Sequence, residues 1–105
     1  MKLDPNTGGV ITAEQAKKLI AGFAKKFPGQ VVSSFIGGDN VKKILEQDNC
    51  IGLRIYNGYD DVEQKISLVL VGVDQEEKDM LDAEIIYDKM ATCPPLCPGP
   101  SNGLV

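Results

Sequence analysis

Between Cys50 and Asp74 the sequence reads CIGLRIYNGYDDVEQKISLVLVGVD, two β-rich runs flanking a polar segment. No other part of the 105 residues approaches its apolar density. In the first run Ile51, Leu53 and Ile55 alternate with Gly52, Arg54 and Tyr56. Period two marks a strand with one buried face, and it sets Arg54 and Tyr56 together on the other. The second run, Ser67 to Val73, is almost continuously apolar and rich in branched side chains, which suits a strand covered on both faces and therefore in the middle of a sheet. Asn57-Gly58-Tyr59-Asp60-Asp61 tolerates positive φ and bonds its own backbone, so the reversal is predicted there. With Asn57 opposite Gln64, Ile55 meets Ile66, Leu53 meets Leu68 and Ile51 meets Leu70. A slip of one residue would expose that shared apolar face.

The hairpin needs cover, and the preceding residues supply two helices. Thr12-Ala13-Glu14-Gln15 has the spacing of a capping box, in which the cap hydroxyl and the Gln15 side chain satisfy each other's backbone amides. From there Ala16, Leu19, Ile20, Phe23 and Phe27 recur at three- and four-residue intervals, with Lys17, Lys18, Lys25 and Lys26 off that stripe. Phe27-Pro28-Gly29 should end the helix, because the residue before proline is pushed out of the helical region and glycine takes a left-handed cap readily. Gln30 to Ile36 is apolar but too short to assign as strand or irregular chain. Gly37-Gly38-Asp39-Asn40 then offers a turn and a cap for a shorter helix whose core face is Val41, Ile44 and Leu45, closed by Gln47-Asp48-Asn49.

After Asp74, residues 75–79 are polar enough for a loop, and Ala83 to Tyr87 are expected to return as a third antiparallel strand. A helix from Glu76 to Met90 competes, since Glu, Lys, Met and Leu are good helix formers. The predicted class is thus α+β: two N-terminal helices packed on a small antiparallel sheet built on the 50–74 hairpin. The expected segments are a leader over 1–11, one domain over 12–91, and a Cys/Pro-rich tail over 92–105. That tail holds four of the six prolines, which bars it from helix and from a central strand.

Charge and residue content narrow the function classes. A formal net charge of −4 argues against a phosphate-backbone ligand, whose affinity comes largely from counterions released by Lys and Arg. The paired lysines are expected on solvated helix faces. No run approaches the roughly 20 apolar residues of a membrane helix, and MKLDPNTGGVIT lacks a secretory apolar segment, so a cytoplasmic protein without nucleic-acid or membrane partners is expected. There is no histidine to activate Ser33, Ser34 or Ser67. Gly8-Gly9 and Gly37-Gly38 lack the surroundings of a phosphate-binding loop. A chain this small also leaves little room for a deep pocket. We therefore expect a noncatalytic protein with no cofactor.

Cys93-Pro94-Pro95-Leu96-Cys97 is the most distinctive short feature. Three residues between the cysteines differ from the two of thioredoxin-type pairs and most zinc knuckles. An extended proline pair would hold the sulfurs apart. The plainest reading is two reduced thiols in a rigid tail that docks on its own domain or on a partner. A disulfide between the two, or from either to Cys50, and a thiophilic metal are the alternatives. Arg54 could take a carboxylate or phosphate in a bidentate contact, or simply pair with Glu63 or Asp74 across a solvated face. The acidic groups around Asp60 and Asp74 lack the spacing of a calcium loop and read as polar turns.

Taken together, Phe27-Pro28, the Gly52–Gly58 block, Leu68 to Asp74, Asp79-Met80 and the terminal Cys-Pro-Pro-x-Cys resemble a group of short uncharacterised bacterial proteins found mainly in Bacteroidetes. The resemblance covers about residues 12 to 97. It implies a bacterial source and a single-domain extent, and it implies no activity. Two functions remain in view. The first is a protein-binding or self-assembling module whose partner surface includes Arg54, Tyr56, Cys93, Pro94, Pro95 and Cys97. The second is a thiol-dependent protein, redox-active or metal-binding, acting through Cys93 and Cys97.

Overall fold

A computed structural model describes residues 2–104. They divide into two compact units, one formed by residues 2–7 and 36–90, the other by residues 8–35 and 91–104. The class is the expected α+β, with two helices lying N-terminal to the main antiparallel sheet.

The first unit is built on the hairpin. Strands β2 (Cys50–Asp60) and β3 (Lys65–Asp74) pair antiparallel, and β3 is the middle strand of three, with β4 (Ile86–Tyr87) on its other side. Leu70, Val71 and Val73 are buried, as a near-continuous apolar run in a middle strand requires. The turn is not where the sequence suggested. Asn57 lies opposite Leu68, Tyr59 opposite Ile66 and Asp60 opposite Lys65, so the strands run on through Asn57-Gly58 and reverse at residues 61–64. The Asp60 carboxylate accepts the amides of Val62 (2.9 Å) and Glu63 (3.0 Å), and Gln64 takes φ +53°. An Asp before the loop and a left-handed residue at its end close the reversal here, while Asn57-Gly58 stays within the paired strand. The pairing has moved by an even number of residues, so the expected faces survive: Leu53 and Ile55 share theirs with Leu68 and Leu70, and Arg54 and Tyr56 take the opposite one.

Helix α2 (Gly38–Leu45) covers the Leu53 face through Ile44, which is fully buried. Val41 is half-buried, but Leu45 is exposed rather than part of the core face, because an eight-residue helix presents only about two turns and Ile44 already fills the position above the sheet. The cap is Gly37 with no side-chain acceptor, not Asp39 or Asn40. The third strand is antiparallel as expected but short: residues 83–85 stay irregular, and an isolated bridge joins Val73 to Asp79. The competing 76–90 helix does not form. Asp74 explains why, since its carboxylate accepts the Glu76 amide at 2.8 Å and the Lys78 amide at 3.0 Å, while Glu77 adopts φ +67°. Local side-chain acceptors of this kind draw backbone donors away from a helix.

The second unit contains α1 (Ala13–Lys26) and a two-stranded sheet of β1 (Ser33–Phe35) against β5 (Ala91–Cys93). The Thr12/Gln15 capping box is present in both directions. The Phe27 amide closes on the Phe23 carbonyl at 2.8 Å and Gly29 follows at φ +81°. The run left unassigned over 30–36 thus supplies a strand, and the head of the Cys/Pro tail is its partner. Val31, Thr92 and Cys93 are the buried residues here, whereas α1 buries none.

Candidate functional site

The side chains singled out from the sequence fall into two groups, one in each unit. Arg54 and Tyr56 project from alternate positions of β2 onto one face. The bridge between Val73 and Asp79, held by the Met80 amide on the Gly72 carbonyl at 2.8 Å, carries the Asp79 carboxylate to the same face. There Arg54 Nη1 meets Asp79 Oδ1 at 2.6 Å, and the Tyr56 hydroxyl donates to Asp79 Oδ2. Both carboxylate oxygens are therefore engaged by the two β2 side chains. Arg54 pairs with Asp79 and not with Glu63 or Asp74, because Asp74 is turned into the loop it caps and Glu63 lies beside Lys65, 3.9 Å away. Hydrogen bonding with Tyr56, and then the charge and hydrogen bond of Asp79, hold the guanidinium above its ordinary value. It stays protonated throughout the range in which proteins fold. Sequence reasoning missed Asp79 as the partner, and the polar loop Gln75–Asp79 offered no periodic signal for it.

The second group is the tail. Cys93 ends β5 opposite Ser33, and its carbonyl accepts the Val32 amide at 2.8 Å. From there the chain folds back: the Leu96 amide donates to the Thr92 carbonyl at 2.9 Å and the Thr92 hydroxyl to the Pro94 carbonyl at 3.2 Å. Cys97 is thereby brought next to Cys93, with Cα atoms 4.8 Å apart, and the two form a disulfide. The expected pair of separated, reduced thiols is corrected by this geometry. The peptide bonds before Pro94 and Pro95 are both cis, and the segment folds back through the Leu96–Thr92 hydrogen bond instead of extending. Cys50 stays free, half-buried, with its thiol 3.2 Å from the Gly52 carbonyl.

Burial divides the disulfide. Cys93 is 2% exposed, while Pro94, Pro95, Leu96 and Cys97 all face solvent. Cys97, Leu96, Pro98, Phe35 and Ala91 line, with Ser33 and Ser34, an open groove of about 610 Å³. In the other unit, Leu3, Asp4, Pro5 and Thr7 line, with the start of β2, an open cleft of about 390 Å³ that Arg54 also borders. Among the described residues no three Cys, Asp or Glu side chains converge as a metal site, and no helix is long and apolar enough to cross a membrane. The chain matches no family model, no curated protein and no solved structure.

Proposed function

We propose that the protein is a small noncatalytic assembly module that associates with further copies of itself through α1. The observation that carries this is a helix with an apolar stripe none of whose residues is buried among the described residues. Leu19 is 69% and Phe27 53% exposed, Ala16, Ile20 and Phe23 are only half-buried, and no residue of the helix is buried. Isolated helices shorter than roughly 12–15 residues are marginal in water, and most helical stability in proteins comes from packing an amphipathic face. A 14-residue helix with that face open is therefore waiting for a surface.

Charge favours another copy as that surface. Of eleven basic and fifteen acidic residues, residues 8–35 hold four lysines and one glutamate and residues 91–105 hold none. Residues 1–7 and 36–90 keep the other seven and fourteen. A lysine-flanked stripe on one molecule complements the acidic unit of the next. The bacterial kinship suggested by the sequence motifs belongs to the same proposal and adds no activity to it. Light scattering on the purified chain tests it: a multiple of 11.3 kDa is expected, falling to one chain for Leu19→Asp, with a weaker assembly at high salt. A wild-type protein that stays at the mass of one chain would end the proposal.

A second reading rests on the closed Cys93–Cys97 pair. We place the protein in the cytoplasm, where disulfides in mesophiles are usually transient and take part in exchange or redox sensing. A bridge there is a thiol pair in use.

A further inference from the structure

We propose that Cys93–Cys97 is an exchange-active disulfide whose attacked sulfur is Cys97, and that its groove selects peptide thiols with an apolar side chain beside the cysteine. The inference rests on the thiol reading above and is independent of whether the chain assembles.

Access decides which sulfur reacts. Exchange requires a thiolate to reach one sulfur of the bridge, and Cys93 is 2% exposed at the end of a paired strand while Cys97 lies on the exposed loop. An incoming peptide thiolate attacks Sγ of Cys97. The bond between the two protein sulfurs breaks, Cys93 leaves as a thiolate and takes a proton from solvent, and a mixed disulfide joins the peptide to Cys97. Two routes then follow. The Cys93 thiolate can return to Cys97 Sγ and expel the peptide thiol, which restores the start. If the peptide carries a second thiol, its thiolate attacks the peptide sulfur of the mixed disulfide and Cys97 departs as a thiolate. The peptide dithiol has then been oxidised to a disulfide, and two electrons and two protons have reduced the protein pair. The resolving sulfur is never far, because only three residues lie between the cysteines and the Leu96–Thr92 hydrogen bond, at 2.9 Å, holds the fold-back.

The groove supplies the selectivity. Its walls beside Cys97 are Leu96, Phe35, Ala91 and Pro98, and both Leu96 and Phe35 are largely exposed. No ionisable side chain other than cysteine lines it. An apolar side chain next to the attacking cysteine would bury against Leu96 and Phe35 during the approach, whereas glutathione offers none and gains nothing there.

The test uses the full chain with Cys50→Ser and its tail bridge intact. It is exposed to a limiting amount of a leucine-flanked cysteine peptide or of glutathione, quenched with acid and mapped by mass spectrometry. The mixed disulfide is expected on Cys97, with the leucine peptide reacting about tenfold faster than glutathione, as partial burial of one leucine side chain would give. Leu96→Ser, which keeps the bridge, should erase that preference and leave the glutathione rate unchanged. An adduct on Cys93, or equal rates for the two thiols, would overturn the inference while leaving a thiol function standing. A bridge that neither thiol opens would overturn both.

Discussion

Gly58 faces Ser67 across the hairpin so closely that a Cβ built there would lie 2.5 Å from the Ser67 carbonyl oxygen. A backbone atom has no rotamer by which to move aside, so Gly58→Ala should destabilise the first unit by about 1–3 kcal/mol, the usual range for overpacking. Gly52→Ala in the same strand meets nothing within 4 Å and is the matched comparison. Urea denaturation of the two variants checks the difference, and equal midpoints would mean that the strands do not approach as described. This residue also shows where sequence reasoning slipped. Asn-Gly between apolar runs is a strong turn signal in isolation, but here glycine serves a close strand contact and Asp60 makes the turn. On the opposite face Ile44 was legible from its helical spacing, and it is the one residue of α2 with no exposure. Ile44→Ala is expected to lose about 2–5 kcal/mol, with Ile44→Val losing about 0.5–1.5. Both are read from the same denaturation curves. Asp79 was not legible, because what brings it to Arg54 is the hydrogen bond of the following residue to β3, a tertiary fact.

At the scale of elements, the capping box and the Pro28-Gly29 stop delimited α1 to within a residue, since both signals act locally and need no tertiary partner. Thr12→Ala removes the side-chain acceptor of the Gln15 amide, 3.1 Å away, and should weaken the helix by about 0.5–2 kcal/mol. The far-ultraviolet circular dichroism of the variant should show less helix than the parent at the same concentration, and an unchanged spectrum would mean that the cap is not engaged. The middle position of β3 was equally legible, because continuous branched residues suit no other place in a small sheet. The short elements were not. Strands β1, β4 and β5 span two or three residues each, too few for a period to register, and α2 is short enough that Leu45 falls outside its buried face. The proline pair misled for a related reason: the hydrogen bonds that fold the segment back, from the Leu96 amide to the Thr92 carbonyl and from the Thr92 hydroxyl to the Pro94 carbonyl, leave no periodic mark in the sequence.

At the scale of the whole molecule the two units differ in how they are held. The first has a middle strand buried on both faces and a helix on top. The second has Val31, Thr92 and Cys93 buried over a two-stranded sheet, and a two-stranded ribbon is marginal by itself. Its bridge closes a loop of five residues, Cys93 to Cys97, which in the chain-entropy account contributes about 2 kcal/mol. Reduction should therefore speed hydrogen exchange over residues 31–35 and 91–97 and leave β2 and β3 protected. Uniform loosening of the whole chain would contradict that division. The central proposition is that α1 is stabilised by another copy, and the most direct measurement is the amide exchange rate of residues 13–26 as a function of protein concentration. Protection of the helix that rises with concentration, while β3 stays constant, is the expected result. Fast exchange in α1 at every concentration, or full protection in a sample whose mass is that of one chain, would contradict assembly through this helix.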